Sequence, residues 1–185
     1  TVCDEVYRSL MKMRWQPSLQ IIPHYESEPL YIDALVKSIN KKISELNWKP
    51  DLIVASYHGI PKKYFDKGDP YHCYCQKTSR LIIEKFNKIP IQTTFQSRFG
   101  PQEWLQPYTD KTLENLPKEG KKNILVVCPG FSSDCVETLE EIAIQGKNSF
   151  FKNGGKNFDI VPCLNDDEEH INLLKHLVDR YNLKK

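Results

Sequence analysis

The stretch Ile124–Glu141, ILVVCPGFSSDCVETLEE, decides the fold. Its first four residues, Ile124 to Val127, are apolar and read as a buried strand. Pro129-Gly130 ends that run with a turn. Beyond Asp134 the chain enters a helix whose first turns carry Glu137, Glu140 and Glu141. Glu137 and Glu141 are four apart and project from one helical face, with Glu140 beside them. Like charges at that spacing repel by roughly a few tenths of a kcal/mol, and no basic residue follows within a turn to relieve them. One explanation is conventional. Asp134 with Glu137 three residues later has the form of a capping box, and acidic residues suit a helix N-terminus. That accounts for Glu137 but not for three carboxylates within five residues, placed where an α/β sheet presents its ligand crevice. The sharper reading is a site for a cation or for protons.

Strand and helix patterns alternate on both sides of this segment. Leu19–Pro23 is a short apolar run that reads as a first strand. Pro29 opens a helical pattern carried by Tyr31, Ile32, Leu35, Ile39 and Ile43. Leu52–Ser56 and Ile91–Phe95 are further strands, separated by a helix that follows Pro70 and runs to about Phe86. A short helix over Asp110–Leu116 precedes the opening strand, and Asp134–Lys147 forms the helix after it. Phe158–Pro162 is a last short strand and Asp166–Tyr181 a closing helix. Strands separated by helices imply βαβ units. The expected fold is therefore a single α/β domain with a doubly wound parallel sheet of four to five strands between two helical layers.

Composition narrows the function classes. With 185 residues, 39% hydrophobic and 27% charged, the chain is an ordinary globular domain able to bury a core. A net charge of +2 gives no electrostatic case for nucleic acid, and the pairs Lys41-Lys42, Lys121-Lys122 and Lys184-Lys185 read as solvated surface. No apolar run reaches membrane-span length, and no signal peptide is visible. The chain opens on Thr1, in what reads as a helix already under way, so a fragment of a longer protein is expected. The six cysteines, Cys3, Cys73, Cys75, Cys128, Cys135 and Cys163, match neither a disulfide framework nor paired zinc knuckles. Cys128 and Cys163, at strand ends, read as small hydrophobes. Cys73-x-Cys75 beside His72 is a weak metal signal without a second pair. A reducing cytoplasm fits this usage.

Function in such a sheet gathers in the loops at the carboxyl ends of the strands. No GxGxxG, GxxxxGK[ST] or GxSxG occurs, which removes the nucleotide fingerprints and the nucleophile elbow. Three loops stand out: Tyr57-His58-Gly59-Ile60-Pro61, Gln96-Ser97-Arg98-Phe99-Gly100-Pro101 leading to Trp104, and the acidic helix. His58 follows its strand almost directly and faces the crevice, where an imidazole binds a metal or accepts a proton near neutral pH; equally, a histidine there can simply sit in the turn and bond the backbone. His24, His72, His170 and His176 read as structural or solvated, and Asp69 and Tyr71 as the start of a helix. One imidazole and a few carboxylates are too few for a closed structural metal site, which has about four ligands. They suit an open site that hands a cation onward.

At these motifs the chain resembles the C-terminal half of the ferrochelatases. The residues that carry the likeness are Ser56–Pro61 with Lys67–Tyr71, Gln96–Pro101 with Trp104–Pro107, Pro129–Phe131 with Glu137–Glu141, and Cys163–Asn165. The segment Tyr71–Arg80 is similar to proteobacterial members, which argues against a new zinc site at Cys73 and Cys75. The resemblance implies a chelatase-like domain over residues 1–185 that serves in inserting ferrous iron into protoporphyrin IX to form protohaem. It implies His58 and Glu137 as the catalytic pair facing each other across the cleft, in metal binding and removal of the pyrrole protons. It implies Glu141 on an acidic track behind them, and Tyr57, Trp104 and Phe131 at the porphyrin pocket. Glu140 is left as helix surface.

The family is built of two similar domains, and this sequence matches only the second. An isolated half is therefore expected to be poorly active or inactive, with any peripheral contact at the inner membrane made by the N-terminal domain. The expected partners are protoporphyrin IX and ferrous iron, both substrates, with no tightly bound cofactor. Some members carry an iron–sulfur cluster on C-terminal cysteines; this sequence ends at Lys185 without them, and no cluster is expected. Two alternatives remain at this stage: a chelatase for another tetrapyrrole, and a module that binds a tetrapyrrole or metal without turnover.

Overall fold

The sequence Leu52–His58, LIVASYH, is buried along nearly its whole length, as a central strand of a parallel sheet must be. The computed structural model describes residues 2–182, so Lys184-Lys185 lie outside the described residues. β1 (Leu52–His58) lies between β2 (Ile91–Gln96) and β3 (Asn123–Val127), and β4 (Asn157–Ile160) closes the far edge. All pairings are parallel, giving the order β2-β1-β3-β4. The register sets Ser56 opposite Thr94 and His58 opposite Gln96.

Side chains alternate across a strand, and β1 shows what each face holds. Ile53, Ala55 and Tyr57 enter one core with Ile32, Leu35 and Ile39 of α2 (Pro29–Glu45) and Ile82 and Phe86 of α4 (Tyr71–Phe86). Leu52 and Val54 enter the other, with Leu113 of α5 (Thr109–Asn115), Ile142, and Phe150 of α6 (Lys147–Lys152). α7 (Glu168–Tyr181) packs against α2. The sheet thus lies between helical layers, and His58 shares a face with Leu52, Val54 and Ser56.

Some expectations are corrected. Leu19–Pro23 is not a strand, and the sheet among the described residues has four strands, the lower of the four to five expected. Pro17 and Pro23 bracket the run and cannot donate ladder hydrogen bonds, no strand edge accepts it, and Leu19 and Ile21 stay exposed. The helix expected over Asp134–Lys147 begins later, at Glu137, and continues past Lys147 as α6. Its first part, Glu137–Gly146, is a π-helix with i→i+5 bonding. The helix already under way at the start is α1 (Val2–Leu10), which buries none of its residues, and a short helix not anticipated, α3 (Lys62–Asp66), follows β1. Among the described residues no helix is long and apolar enough to cross a membrane.

Where the chain leaves α6 for β4 it folds tightly over Phe150. A Cβ on Gly155 would stand 2.1 Å from that fully buried ring. Overpacking of this kind costs about 1–3 kcal/mol. Gly155→Ala should therefore lower the urea midpoint with an unchanged slope; an unchanged midpoint would show that this turn has room to yield.

Candidate active site

His58 ends β1 at the carboxyl edge of the sheet, half-buried. The next residue must be small. Gly59 N–H donates to the Gln96 carbonyl at 2.8 Å, and a Cβ there would lie 3.0 Å from that oxygen and 3.2 Å from the Trp104 ring. The loops after β1 and β2 are tied together beyond this point, with Lys62 N–H on the Glu103 carbonyl and Leu105 N–H on the Ile60 carbonyl. This places the Trp104 ring 6.4 Å from the His58 ring on one side, with Phe131 also at 6.4 Å. The Tyr71 hydroxyl donates to the His58 carbonyl at 2.8 Å. Burial pushes the Tyr71 phenol well above its ordinary pKa, so it remains a donor.

The imidazole has a defined tautomer. His58 Nδ1 lies 2.6 Å from the Gly59 carbonyl oxygen, and a carbonyl only accepts. Nδ1 therefore carries the proton, and in the neutral ring Nε2 is left with its lone pair. That is the form suited to take a proton or meet a metal.

Opposite His58 on the same face of the sheet, the π-helix supplies the carboxylates. Glu137 is half-buried, and its carboxyl is held below the usual range, first by a hydrogen bond from Cys135 and then by its own backbone N–H. Glu141 is tied on both oxygens: Ser97 N–H to Oε1 at 2.6 Å, Ser97 Oγ to Oε2 at 2.5 Å, and Gln96 Nε2 to Oε2 at 3.3 Å. Ser97 adopts φ 62°, a left-handed conformation that turns its N–H and hydroxyl toward one carboxylate. Glu140 is exposed and accepts from Gln145, five residues on. The wider π turn keeps residue i+4 near the face of residue i while carrying i+3 further round, so Glu141 stays with Glu137 and Glu140 does not.

No capping box forms. Asp134 accepts from Asn165 Nδ2 at 2.8 Å, Thr138 Oγ1 at 3.2 Å and Cys163 N–H at 3.3 Å, and no side chain caps the π-helix. Burial by itself would raise the Asp134 carboxyl, but the bonds from Asn165 and Cys163 hold it below its ordinary value. Beyond Glu141 a cavity of about 260 Å³ opens, walled by Ser97, Arg98, Asp110, Glu141 and Gln145. Arg98, one of its walls, pairs with Asp110 at 2.6 Å and lies over the Tyr108 ring.

Of the residues singled out in the sequence, His58, Trp104, Phe131 and Glu137 gather at this edge. Tyr57 stands on the opposite face, in the core, with its hydroxyl on Ser79 at 2.9 Å and its ring beneath Gly130. Among the described residues no three His, Cys, Asp or Glu side chains converge to hold a metal. All six cysteines are free. Cys73 is exposed and Cys75 buried on α4, where burial pushes the Cys75 thiol up to about 12. They do not form a joint site. Gln96 joins the site residues, although in the sequence it stands out only as the start of the Gln96–Pro101 motif. Its signal is the polar pair Thr94 and Gln96, two apart on one face of a buried strand, in register with Ser56 and His58.

This geometry, an imidazole and carboxylates at the carboxyl edge of a parallel sheet with aromatic rings beside them, defines an α/β protein whose titratable groups gather at the sheet's carboxyl edge. The ferrochelatase family model matches residues 1–182. The ferrochelatase of Rhizobium meliloti (strain 1021) is 58% identical over 182 residues, 97% of this chain and 54% of the relative. Those of Agrobacterium fabrum (strain C58 / ATCC 33970), at 51%, and Brucella ovis (strain ATCC 25840 / 63/290 / NCTC 10512), at 50%, also align over 97% of this chain, which covers 53% and 52% of them. The chain belongs to the ferrochelatase family. It spans about half the length of the curated relatives it matches.

Two measurements check the site's construction. Gly59→Ala should destabilise the fold by about 1–3 kcal/mol and displace the His58 ring resonances in NMR spectra; unmoved resonances would remove Gly59 from the scaffold. In the native protein, iodoacetamide at pH 8 should label Cys3 and Cys73 quickly. Cys75, Cys128 and Cys163 should react only after unfolding, because burial raises all three thiols.

Proposed function

We propose that the protein of which this chain forms about half inserts ferrous iron into protoporphyrin IX, giving protohaem. Insertion requires a base where two pyrrole N–H protons leave, and a weak ligand that can surrender the metal. The observation that carries the reading is the His58 tautomer: its Nδ1 is committed to the Gly59 carbonyl, which leaves the Nε2 lone pair for the crevice. His58 Nε2 takes the pyrrole protons one at a time, releasing the first to solvent before it accepts the second. Glu137, held ionised by its local hydrogen bonds, attracts the incoming cation and offers it an oxygen. Glu141 lies one turn behind, between Glu137 and the cavity beside Arg98, as the step before Glu137 for metal or protons.

Trp104 and Phe131, the rings flanking His58, are the walls that keep the macrocycle bent so that a pyrrole lone pair meets the metal. Tyr57, buried on the opposite face of the sheet, backs the turn at Gly130 that leads to Phe131 rather than lining that pocket. Ferrous iron and the porphyrin are substrates, and no resident cofactor or iron–sulfur cluster enters the scheme. The protein works in the cytoplasm, with peripheral contact at the inner membrane made by the half outside this chain.

The test is made in the full-length protein by following porphyrin fluorescence as iron is inserted. His58→Ala should reduce turnover by about 10²–10⁴-fold while porphyrin still binds. Glu137→Gln should also lose turnover. An undiminished rate in the His58 variant would end the catalytic reading.

A further inference from the structure

Gln96 is the last residue of β2 and only 2% exposed. Its Oε1 accepts from the Ser56 hydroxyl at 2.7 Å and from the Cys128 thiol at 3.7 Å. Its Nε2 donates to the main-chain carbonyl of Glu137 at 2.7 Å and to Glu141 Oε2 at 3.3 Å. The amide can stand only one way round. Reversed, its oxygen would face a carbonyl and a carboxylate, both of which only accept. Behind Ser56 the hydroxyls continue to Thr109 and Thr94 at 2.8 Å per step, so the orientation is backed by side chains from β1, β2 and α5.

The contact to Glu137 is made through the backbone, at the first residue of the π-helix. The Glu137 carboxylate is left to the crevice, yet the turn that carries it is pinned to the end of the strand paired with His58. Gln96 is also Cα partner to His58 across the ladder, and its own carbonyl holds Gly59 N–H. One residue therefore sets the separation of imidazole and carboxylate from both sides. We infer that Gln96 is a positioning residue for the iron-insertion reaction, acting through the Glu137 carbonyl. This rests on the roles proposed above for His58 and Glu137.

Misplacing a reacting group by about 1 Å can cost about a hundredfold in rate. Two variants of the full-length protein remove the donor. Gln96→Leu keeps the volume, and Gln96→Glu keeps the oxygen toward Ser56 and serves where the leucine variant does not fold. Either should lower kcat at least about tenfold with KM for porphyrin unchanged within about twofold, and crystal structures should show the Glu137 turn displaced from the sheet. A wild-type rate overturns the inference. So does a fall in kcat with Glu137 standing where it does in the native protein. Independently of folding or turnover in any variant, the Gln96 side-chain amide protons of the native protein should exchange with solvent far more slowly than those of the exposed Gln76 and Gln145; exchange at the same rate overturns the inference. A native enzyme that inserts no iron overturns the proposed function instead, while amide exchange and the displacement of Glu137 still judge the anchor.

Discussion

The parallel pairing of β1 with β2 places a histidine opposite a glutamine at the carboxyl edge of the sheet, and the site is assembled from that pair outward. In a parallel ladder the register is protected by burial on both faces. A slip of one residue would drive Leu52 and Val54 into the space of Ile53 and Ala55 and turn His58 to the side of Tyr57. The two cores, one with α2 and α4 and the other with α5, α6 and the π-helix, therefore lock which way the imidazole faces. Apolar packing far from the crevice thus aims His58 at the π-helix side. The polar groups then fix its tautomer and its distance from the carboxylates.

Placing polar groups so deep carries a condition. Ser56, Thr94, Gln96 and Thr109 are each 2% exposed or less, and an unpaired hydroxyl or amide at such depth costs about 1–3 kcal/mol. Among the described residues no buried side-chain nitrogen or oxygen lacks a hydrogen-bond partner. The network is satisfied because it ends on acceptors supplied by the π-helix: the Glu137 carbonyl and the Glu141 carboxylate. The helix stabilises the strand's amide, and the amide fixes the helix. The same groups serve folding and site geometry, so the two cannot be tuned separately at this point.

The sequence makes much of this architecture readable. Strand positions follow from apolar runs at β1 and β3, and Pro29, Pro70 and Pro117 mark helix boundaries. His58 and Glu137 are visible because they sit at the end of a strand and in a turn-to-helix junction, where local pattern reports location. Leu19–Pro23 misleads because an apolar run reports burial potential without reporting whether a strand edge is available to pair with it. The π-helix is hidden for another reason. Spacing of three and four residues between apolar positions is compatible with either winding over so short a segment, and only the backbone ladder distinguishes them. Tyr57 and His58 are neighbours in sequence and share a motif. Strand alternation nevertheless sends them to opposite faces, a separation that motif reading without the strand period does not reveal.

The difference between the two glutamates follows from what holds them. Glu141 receives donors on both oxygens from a serine in a left-handed conformation and from a buried amide, so any cation it meets competes with three hydrogen bonds already made. Glu137 is anchored instead at its carbonyl and at the sheet, and its carboxylate is held by its own N–H and the neighbouring Cys135. On the function proposed above, a cation moving inward from the cavity beside Arg98 passes from a carboxylate whose lone pairs are largely engaged to one more open to it. The second carboxylate lies within electrostatic reach of an imidazole whose Nδ1 is committed to the Gly59 carbonyl. This gradient in donor occupancy, rather than charge alone, gives the π-helix a direction.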